Sequence, residues 1–333
     1  MPRFDVMLVL IVALTLAYDF TNGFNDLPAA IATVVSTRIM GFPVAVLMAG
    51  TLMFVGAYTS TAVARTVAGR LVRTEAITNE VIVSAILGAL VWDVITWWLA
   101  LPSSSSHALI GGLCGASIVR GGLGTVDWGR LSSDVVIPMI LSPLVGLGIA
   151  FLVMTAILTL FAHAGRRVWD PAFRYSQIFS AGSVAFAHGS GSGQKGMGIL
   201  TLALLSRGTV HTPDVPLWAM AACTAAIVAG GASGSMRIIA TLGNKIVRLN
   251  PVQGFAAQAC CASVVYLASH LGMPVSTTQV LSGTVMGVGA AQRSGAVRWG
   301  VVQKMLGAWI VTLPAAGLVA AGAHQFLQRM GYH

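Results

Sequence analysis

Charged residues are scarce in this chain: Asp, Glu, Lys and Arg together make up 9% of its 333 residues. A soluble domain carries about a quarter charged residues, so this composition leaves too little polar surface to face water on all sides. Hydrophobic residues account for 56% of the chain, and the mean hydropathy is +0.82. The scarcity of charge therefore excludes an ordinary soluble protein and predicts an integral membrane protein.

Acidic residues are the rarest of the charged ones, with ten Asp and Glu against nineteen Lys and Arg and a net charge of +9. The basic residues stand in short clusters between apolar runs, as Arg293, Arg298 and Lys304 do. Such clusters are typical of loops that follow the positive-inside rule, rather than of a nucleic-acid-binding surface. We therefore expect membrane lipid around this chain and no nucleic acid.

Cysteine is also sparse, and the four residues lie in apolar segments without metal-ligand spacing. We expect Cys114, Cys223, Cys260 and Cys261 to be small buried residues, and we expect no cofactor.

Apolar runs recur along the whole chain without the alternation that is typical of strands. They cover residues 6–18, 43–63, 81–100, 134–162, 196–206, 214–231, 252–271 and 300–323. Because a helix needs roughly 20 apolar residues to cross a membrane, we predict an all-α polytopic membrane protein with about 10–12 membrane segments, the shorter ones re-entrant. No small-residue cleavage site follows the first run, so we expect it to be retained as a helix.

The two halves of the sequence resemble each other. Residues 102–112 reappear as residues 274–284, with the proline, a hydroxyl triplet, a leucine and a glycine in register. A weaker match pairs residues 22–26 with residues 188–192, in the same order along each half. This duplication predicts an N-terminal repeat at 1–164, a central linker at 165–175 and a C-terminal repeat at 176–333.

The hydroxyl triplets are candidate anion ligands: Ser104, Ser105, Ser106, Ser276, Thr277 and Thr278. A proline followed by serines cannot face lipid, because unsatisfied peptide groups are costly there. We predict a broken helix whose N-terminal amides and hydroxyls bind an anion. Isolated serines usually bond to the preceding helical turn, but the duplication favours a binding site.

Three aspartates lie deep in apolar surroundings, and buried charge in a membrane is functional by default. Asp26, with Asn22 and Asn25 beside it, supplies oxygen ligands for a small cation or an acceptor for a proton on the anion. Asp19 is equally suited to pairing with an arginine, and Asp93 to a structural hydrogen bond.

Alternating glycines mark the segment 188–196, which matches the Asp26 region in the repeat. Its free amides would form an anion-binding nest, with Ser190 and Ser192 as further donors. The alternative is a flexible helix break.

With these motifs the chain resembles the inorganic phosphate transporter (PiT) family, in particular bacterial low-affinity phosphate permeases. The resemblance extends over essentially the whole length and rests on residues 22–33, 102–112, 188–189, 194–195, 237–245 and 274–287. It implies two inverted-topology repeats with re-entrant helical hairpins, and phosphate uptake coupled to sodium or protons. Some members carry sulfate, and many pair as homodimers.

The chain departs from the family pattern in its second half. Gly191 and Ser192 replace an Asn-Asp pair, Ala29 replaces an asparagine, and Gln279 replaces a histidine. The resemblance therefore implies anion binding at both hydroxyl triplets, but cation or proton coupling only at Asn22, Asn25 and Asp26, with sodium considered at Asp26 alone.

We expect a multi-pass symporter of the cytoplasmic (inner) membrane that moves inorganic phosphate with H⁺ or Na⁺ by alternating access. Phosphate retains protons near neutral pH and benefits from an acceptor such as Asp26, whereas sulfate is best met by donors alone. A sulfate permease and a non-transporting degenerate paralogue remain alternatives. We expect no enzyme, because a hydrolase built on His188 and Ser192 has no other support.

Overall fold

The protein is almost entirely helical. The computed structural model describes residues 6–64, 71–73, 76–162, 166–206, 208–210, 212 and 214–331. Within these ranges, β-pairing is limited to one isolated bridge between Val72 and Val126. The predicted all-α fold class is therefore confirmed.

The described part of the chain contains eleven helices of twelve residues or more. They are α1 (Val6–Ser36), α2 (Phe42–Thr59), α3 (Asn79–Trp98), α4 (Ser105–Gly121), α5 (Ile137–Leu160), α6 (Arg166–Gly189), α7 (Lys195–Ser206), α8 (Leu217–Gly234), α9 (Pro251–His270), α10 (Thr277–Gln292) and α11 (Trp299–Arg329). Short 3₁₀, α and π segments connect them. The first apolar run is a helix as expected, but the helix continues through the polar residues that follow and ends only at Ser36.

Seven of these helices are long and apolar enough to cross a membrane: α1, α2, α3, α5, α8, α9 and α11. Their outer faces expose large apolar side chains such as Leu152, Ile310 and Leu318, which suits a lipid environment. The protein is thus a multi-pass membrane protein. The other four helices, α4, α6, α7 and α10, are shorter or more polar, and with them the described chain has the expected number of segments.

Two helical hairpins carry the hydroxyl triplets. In the first hairpin α3 leads to α4, and in the second α9 leads to α10. Each second helix begins with the same cap: Ser104 accepts a hydrogen bond from the backbone amide of His107, and Ser276 accepts one from that of Gln279. Serine at this position satisfies an amide that the first helical turn leaves free. The predicted helix break therefore lies where the proline and serines stand.

Helices of each half pack against helices of the other half in equivalent pairs. Helix α4 of the first half packs on α11 of the second, and α10 of the second half packs on α5 of the first. In the same way α1 packs on α8, and α6 packs on α2. This pairwise exchange is what an internal duplication produces, since equivalent helices make equivalent contacts.

Glycines allow the closest of these contacts. A side chain at Gly111 would overlap the carbonyl of Leu313 on α11, and one at Gly283 would overlap the carbonyl of Pro143 on α5. These two glycines occupy equivalent positions in the repeat. Small residues are used in this way wherever membrane helices approach backbone to backbone.

The segment proposed as a central linker is helical where it is described. Residues 166–175 form the first turns of α6, which runs on to Gly189, and residue 165 lies outside the described ranges. The division of the chain at 164 and 176 stays a prediction.

Candidate anion-binding site

Hydroxyls from both hairpins meet at one carboxylate. Asp26 lies on α1 and is only 2% exposed. Its Oδ2 accepts a hydrogen bond of 3.0 Å from the Ser105 hydroxyl. The Thr278 hydroxyl lies 3.3 Å from the Asp26 Oδ1 and also 3.3 Å from the backbone carbonyl of Asn25, so its one proton is shared between these two acceptors. Ser105 opens α4 and Thr278 lies in the first turn of α10, so both halves of the chain contribute to the contact.

A buried lysine completes this centre. The Nζ of Lys195, the first residue of α7, lies 3.0 Å from Asp26 Oδ2 and 2.6 Å from the Ser105 Oγ. Among the Lys and Arg side chains that the structure describes, only that of Lys195 is fully buried. Its ammonium group is therefore the direct counter-ion of Asp26, and a buried pair of this kind persists only when both charges are compensated.

A histidine links the carboxylate to the second triplet. His188 Nε2 lies 3.9 Å from Asp26 Oδ2, and its Nδ1 is hydrogen-bonded to the Thr277 hydroxyl at 3.1 Å. On the other side, the Tyr18 hydroxyl donates to the Ser105 carbonyl at 3.0 Å. These contacts fix the positions of the side chains around Asp26.

The remaining triplet residues have other roles or no assigned partner. The hydroxyls of Ser104 and Ser276 are occupied as helix caps. Ser106 is buried in the first turn of α4. The structure therefore brings Ser105, Thr277 and Thr278 to the centre and uses the first residue of each triplet to begin a helix.

Three amides of the glycine-rich segment after α6 are used within the segment itself, and the anion-binding nest expected there stays a prediction. The backbone amides of Ser190, Gly191 and Gln194 donate to the carbonyls of Phe186, His188 and Gly191. The Ser190 hydroxyl donates to the Ala187 carbonyl at 3.0 Å, as serine often does within a helix. These donors are thus used locally, because the segment closes as a 3₁₀ turn. The side chain of Ser192 lies outside the described part of the chain.

Four buried polar side chains near the triplets and Asp26 have unsatisfied atoms. Asn22, Asn25, His107 and Gln279 are fully buried, and their side-chain nitrogen and oxygen atoms lack hydrogen-bond partners within the described residues. His107 and Gln279 occupy equivalent positions, directly after the two triplets. Since unsatisfied buried groups are costly, such a concentration indicates a site that binds polar ligands.

No transition-metal centre is indicated. Across the described ranges, no three His, Cys, Asp or Glu side chains are grouped so that they could hold a metal ion. A sodium ion at Asp26 is compatible with its oxygen chemistry, but the Lys195 ammonium already occupies Oδ2. A sodium ion would bind at Oδ2 only after Lys195 has moved.

The arrangement suits a protonated tetrahedral oxyanion. Lys195, Ser105 and Thr278 supply donors, and the starts of α4 and α10 add the favourable field of a helix N-terminus. Asp26 supplies an acceptor for a proton on the ligand. The candidates from the sequence include Asp26 and both triplets, and their assignment as binding residues stays a prediction; Lys195 and His188, which contact Asp26 and Thr277, were not among those candidates. A basic residue inside an apolar segment was the signal that could have identified Lys195.

Comparisons with known proteins show the family of the chain. The profile described as the phosphate transporter family matches residues 22–169 and again residues 161–320. A Mycobacterium leprae protein described as a "probable low-affinity inorganic phosphate transporter" is 42% identical, over 98% of this chain and 79% of its own length. A Bacillus subtilis protein with the same description is 37% identical over 97% of both chains.

One solved structure shares the fold. It is described as "The sodium-dependent phosphate transporter" and superposes with a TM-score of 0.88, over 97% of this chain and 99% of that one. The two sequences are 23% identical, so this likeness concerns the arrangement of helices.

Proposed function

Because the chain belongs to the phosphate transporter family, we propose that it moves inorganic phosphate across the cytoplasmic membrane in symport with a cation, by alternating access. The proposal includes the homodimeric assembly that the resemblance to the family implies. Sulfate transport and loss of transport are the competing outcomes.

One observation carries the proposal: the equivalent hairpins of both halves place a hydroxyl on the same buried carboxylate, Asp26. Transporters built from internal repeats bind their substrate where the repeats meet, near the middle of the membrane. A phosphate at this position would be held by both halves at once. Movement of one half against the other would then expose it to either side.

Asp26 favours phosphate over sulfate. Phosphate near neutral pH carries at least one proton, which it can donate to the carboxylate, whereas sulfate would place unpaired negative charge against it. A site that requires a donor on its ligand rejects analogues that lack one. Lys195, Ser105 and Thr278 would bind the remaining phosphate oxygens.

The ion pair between Lys195 and Asp26 supplies a route to coupling. When the ammonium turns from Asp26 to phosphate, the carboxylate loses its counter-ion inside the protein. An uncompensated buried charge is strongly unfavourable, so Asp26 would then take up the coupling cation, H⁺ or Na⁺, with Asn22 and Asn25 beside it. Phosphate and cation binding would therefore favour each other.

Access requires a conformational change. Asp26, Ser105, Thr278 and Lys195 are each at most 2% exposed, so solvent does not reach the site in this conformation. Each of the two hairpins packs against a helix that belongs to the other repeat. These hairpins and helices would move relative to each other when the site opens.

The test is uptake of labelled phosphate and labelled sulfate into proteoliposomes, with sodium and pH gradients imposed separately. We expect concentrative phosphate uptake driven by one of the two gradients, and little sulfate uptake. The D26N variant, which removes the coupled charge, should lose concentrative uptake. Preference for sulfate, or no flux of either anion, would overturn the proposal in favour of the corresponding alternative.

A further inference from the structure

An apolar groove of about 600 Å³ lies between α2, α6 and α9, on the outer side of the protein. Its lining side chains are mostly large and apolar, among them Met48, Leu52, Phe179, Phe186 and Tyr266. Phe179 is 78% exposed, so no helix of the described chain covers the groove at this point. A groove of this volume is large enough to hold a small-molecule ligand.

A second, more polar cavity of about 340 Å³ adjoins the groove. Ile178 lines both cavities, and the second is also lined by Ile39, Pro171, Arg174 and Tyr175. The side chains of Arg174 and Tyr175 are exposed. Among the described residues, no acidic side chain lines either cavity. One end of an apolar groove therefore carries an uncompensated positive charge.

The polar cavity lies toward the membrane surface, and the groove runs inward from it. The Thr37 hydroxyl, one residue beyond the end of α1, donates a hydrogen bond of 3.2 Å to the Gln177 Oε1 on α6. Eleven residues further along α6, His188 reaches Asp26 inside the protein. Arg174 precedes Gln177 and thus lies farther out, while the groove follows α6 inward from residue 178 to residue 186, over about 12 Å.

The surface around Arg174 is strongly basic. Residues 37–41, 241–250 and 291–298 contain no Asp or Glu. They lie on one side of the protein, because residues 241–245 pack on α1 and the Arg298 amide donates to the Ile246 carbonyl at 3.0 Å. Their basic residues are Arg38, Lys245, Arg248, Arg293 and Arg298. By the positive-inside rule this side faces the cytoplasm, where the membrane leaflet carries anionic lipids.

We propose that the groove and the adjoining cavity together bind one phospholipid with an anionic head group. The Arg174 guanidinium would pair with the phosphodiester, and the Tyr175 hydroxyl would hydrogen-bond to the head group at the membrane interface. One acyl chain would extend from Ile178 along Phe179 toward Phe186 and cover the apolar lining. The inference does not depend on which anion or cation the protein transports.

A second copy of the chain is a less suitable occupant. It would bury Arg174 in an interface, and no acidic side chain of the cavity would compensate the charge. Burial of an unpaired charge is strongly unfavourable, whereas an anionic head group brings its own negative charge.

The test uses purified protein in neutral detergent and phosphatidylglycerol with a photoreactive diazirine on one acyl chain. We expect the label on the peptides of α2, α6 and α9 that line the groove. Phosphatidylglycerol should compete for this site about fivefold better than phosphatidylcholine with the same chains, which has no net charge. A single arginine near an anionic lipid contributes a preference of about this size.

Two variants separate the head group from the chain. R174Q should bind both lipids alike, and R293Q, at an exposed arginine outside both cavities, should keep the wild-type preference. S183F fills the groove at a serine whose hydroxyl bonds only to the Phe179 carbonyl, and should abolish the label there. S233F is its control on α8, at a serine bonded to the Gly230 carbonyl, and should be labelled as wild type.

Labelling outside the groove, or equal competition by the two lipids in the wild type, would overturn the inference. Should S183F fail to fold, an R174Q variant that keeps the preference would overturn it equally. Disulfide crosslinking of two copies through F179C, with no lipid label in the groove, would show that a second copy covers this face and would also overturn it.

Discussion

Lys195 and Asp26 are far apart in the sequence, but the Lys195 Nζ lies 3.0 Å from the Asp26 Oδ2. The Ser105 hydroxyl is hydrogen-bonded to both side chains. The carboxylate and the ammonium group compensate each other's charge inside the protein, and the Ser105 hydroxyl adds a hydrogen bond to each. The set belongs to three different helices, α1, α4 and α7. It therefore ties the folding of these helices to the chemistry of the site.

Replacing Lys195 by methionine tests this dependence. K195M keeps an unbranched side chain that is one atom shorter but leaves Asp26 without its ammonium, and breaking a buried pair in this way costs about 3–5 kcal/mol. We expect a large fall in the unfolding temperature of the purified protein and loss of phosphate transport.

A second variant separates charge from packing. In K195M/D26N neither charge remains, so we expect the double variant to be more stable than K195M alone. K304M, at an exposed lysine of α11, is the control and should unfold at the wild-type temperature. Equal stability of K195M and the double variant would show that the ion pair is not what the site depends on.

At the scale of helices, equivalent glycines hold the hairpins against their exchanged partners. An alanine at Gly111 or Gly283 would place its Cβ against a backbone carbonyl of α11 or α5, which cannot move aside cheaply. We expect G111A and G283A to destabilise the protein by about 1–3 kcal/mol, the usual cost of overpacking. Denaturation of purified protein measures this.

Gly307 provides the matched control. It lies on α11 with nothing within 4 Å of an added Cβ. Because alanine favours helix over glycine, G307A should leave stability unchanged or raise it by up to about 1 kcal/mol. Similar losses in all three variants would mean that helix propensity, and not close approach, explains the effect.

The helices could be predicted from the sequence more readily than the contacts that they make. Long apolar runs dictate helices in a membrane, and the proline with its serines dictates a capped helix start, so both hairpins could be predicted from local pattern. The alternating glycines after His188 predicted free amides, but the amides of Ser190, Gly191 and Gln194 donate to carbonyls within or just before the turn. Local composition does not show whether an amide will be used within its turn.

For the whole molecule, the duplicated motifs predicted two related halves, and the exchanged packing agrees with them. The meeting of Lys195 with Asp26 could not be predicted in the same way. The contact joins residues 169 positions apart. In addition, the motif of the second half that corresponds to residues 22–26 lacks the acidic residue of the family pattern. Such a contact depends on how the halves dock, which no pattern within one half determines.

The central claim is that both halves hold the same phosphate, and exchange of labelled phosphate across proteoliposomes tests it most directly. Removing the hydroxyl in S105A or in T278V should raise the KM for phosphate by about tenfold or more in each case, as loss of a hydrogen bond to a charged ligand does. S180A, which removes a buried hydroxyl bonded to the Gln177 carbonyl, should leave KM unchanged. An increase in only one of the two site variants would contradict a substrate shared between the repeats.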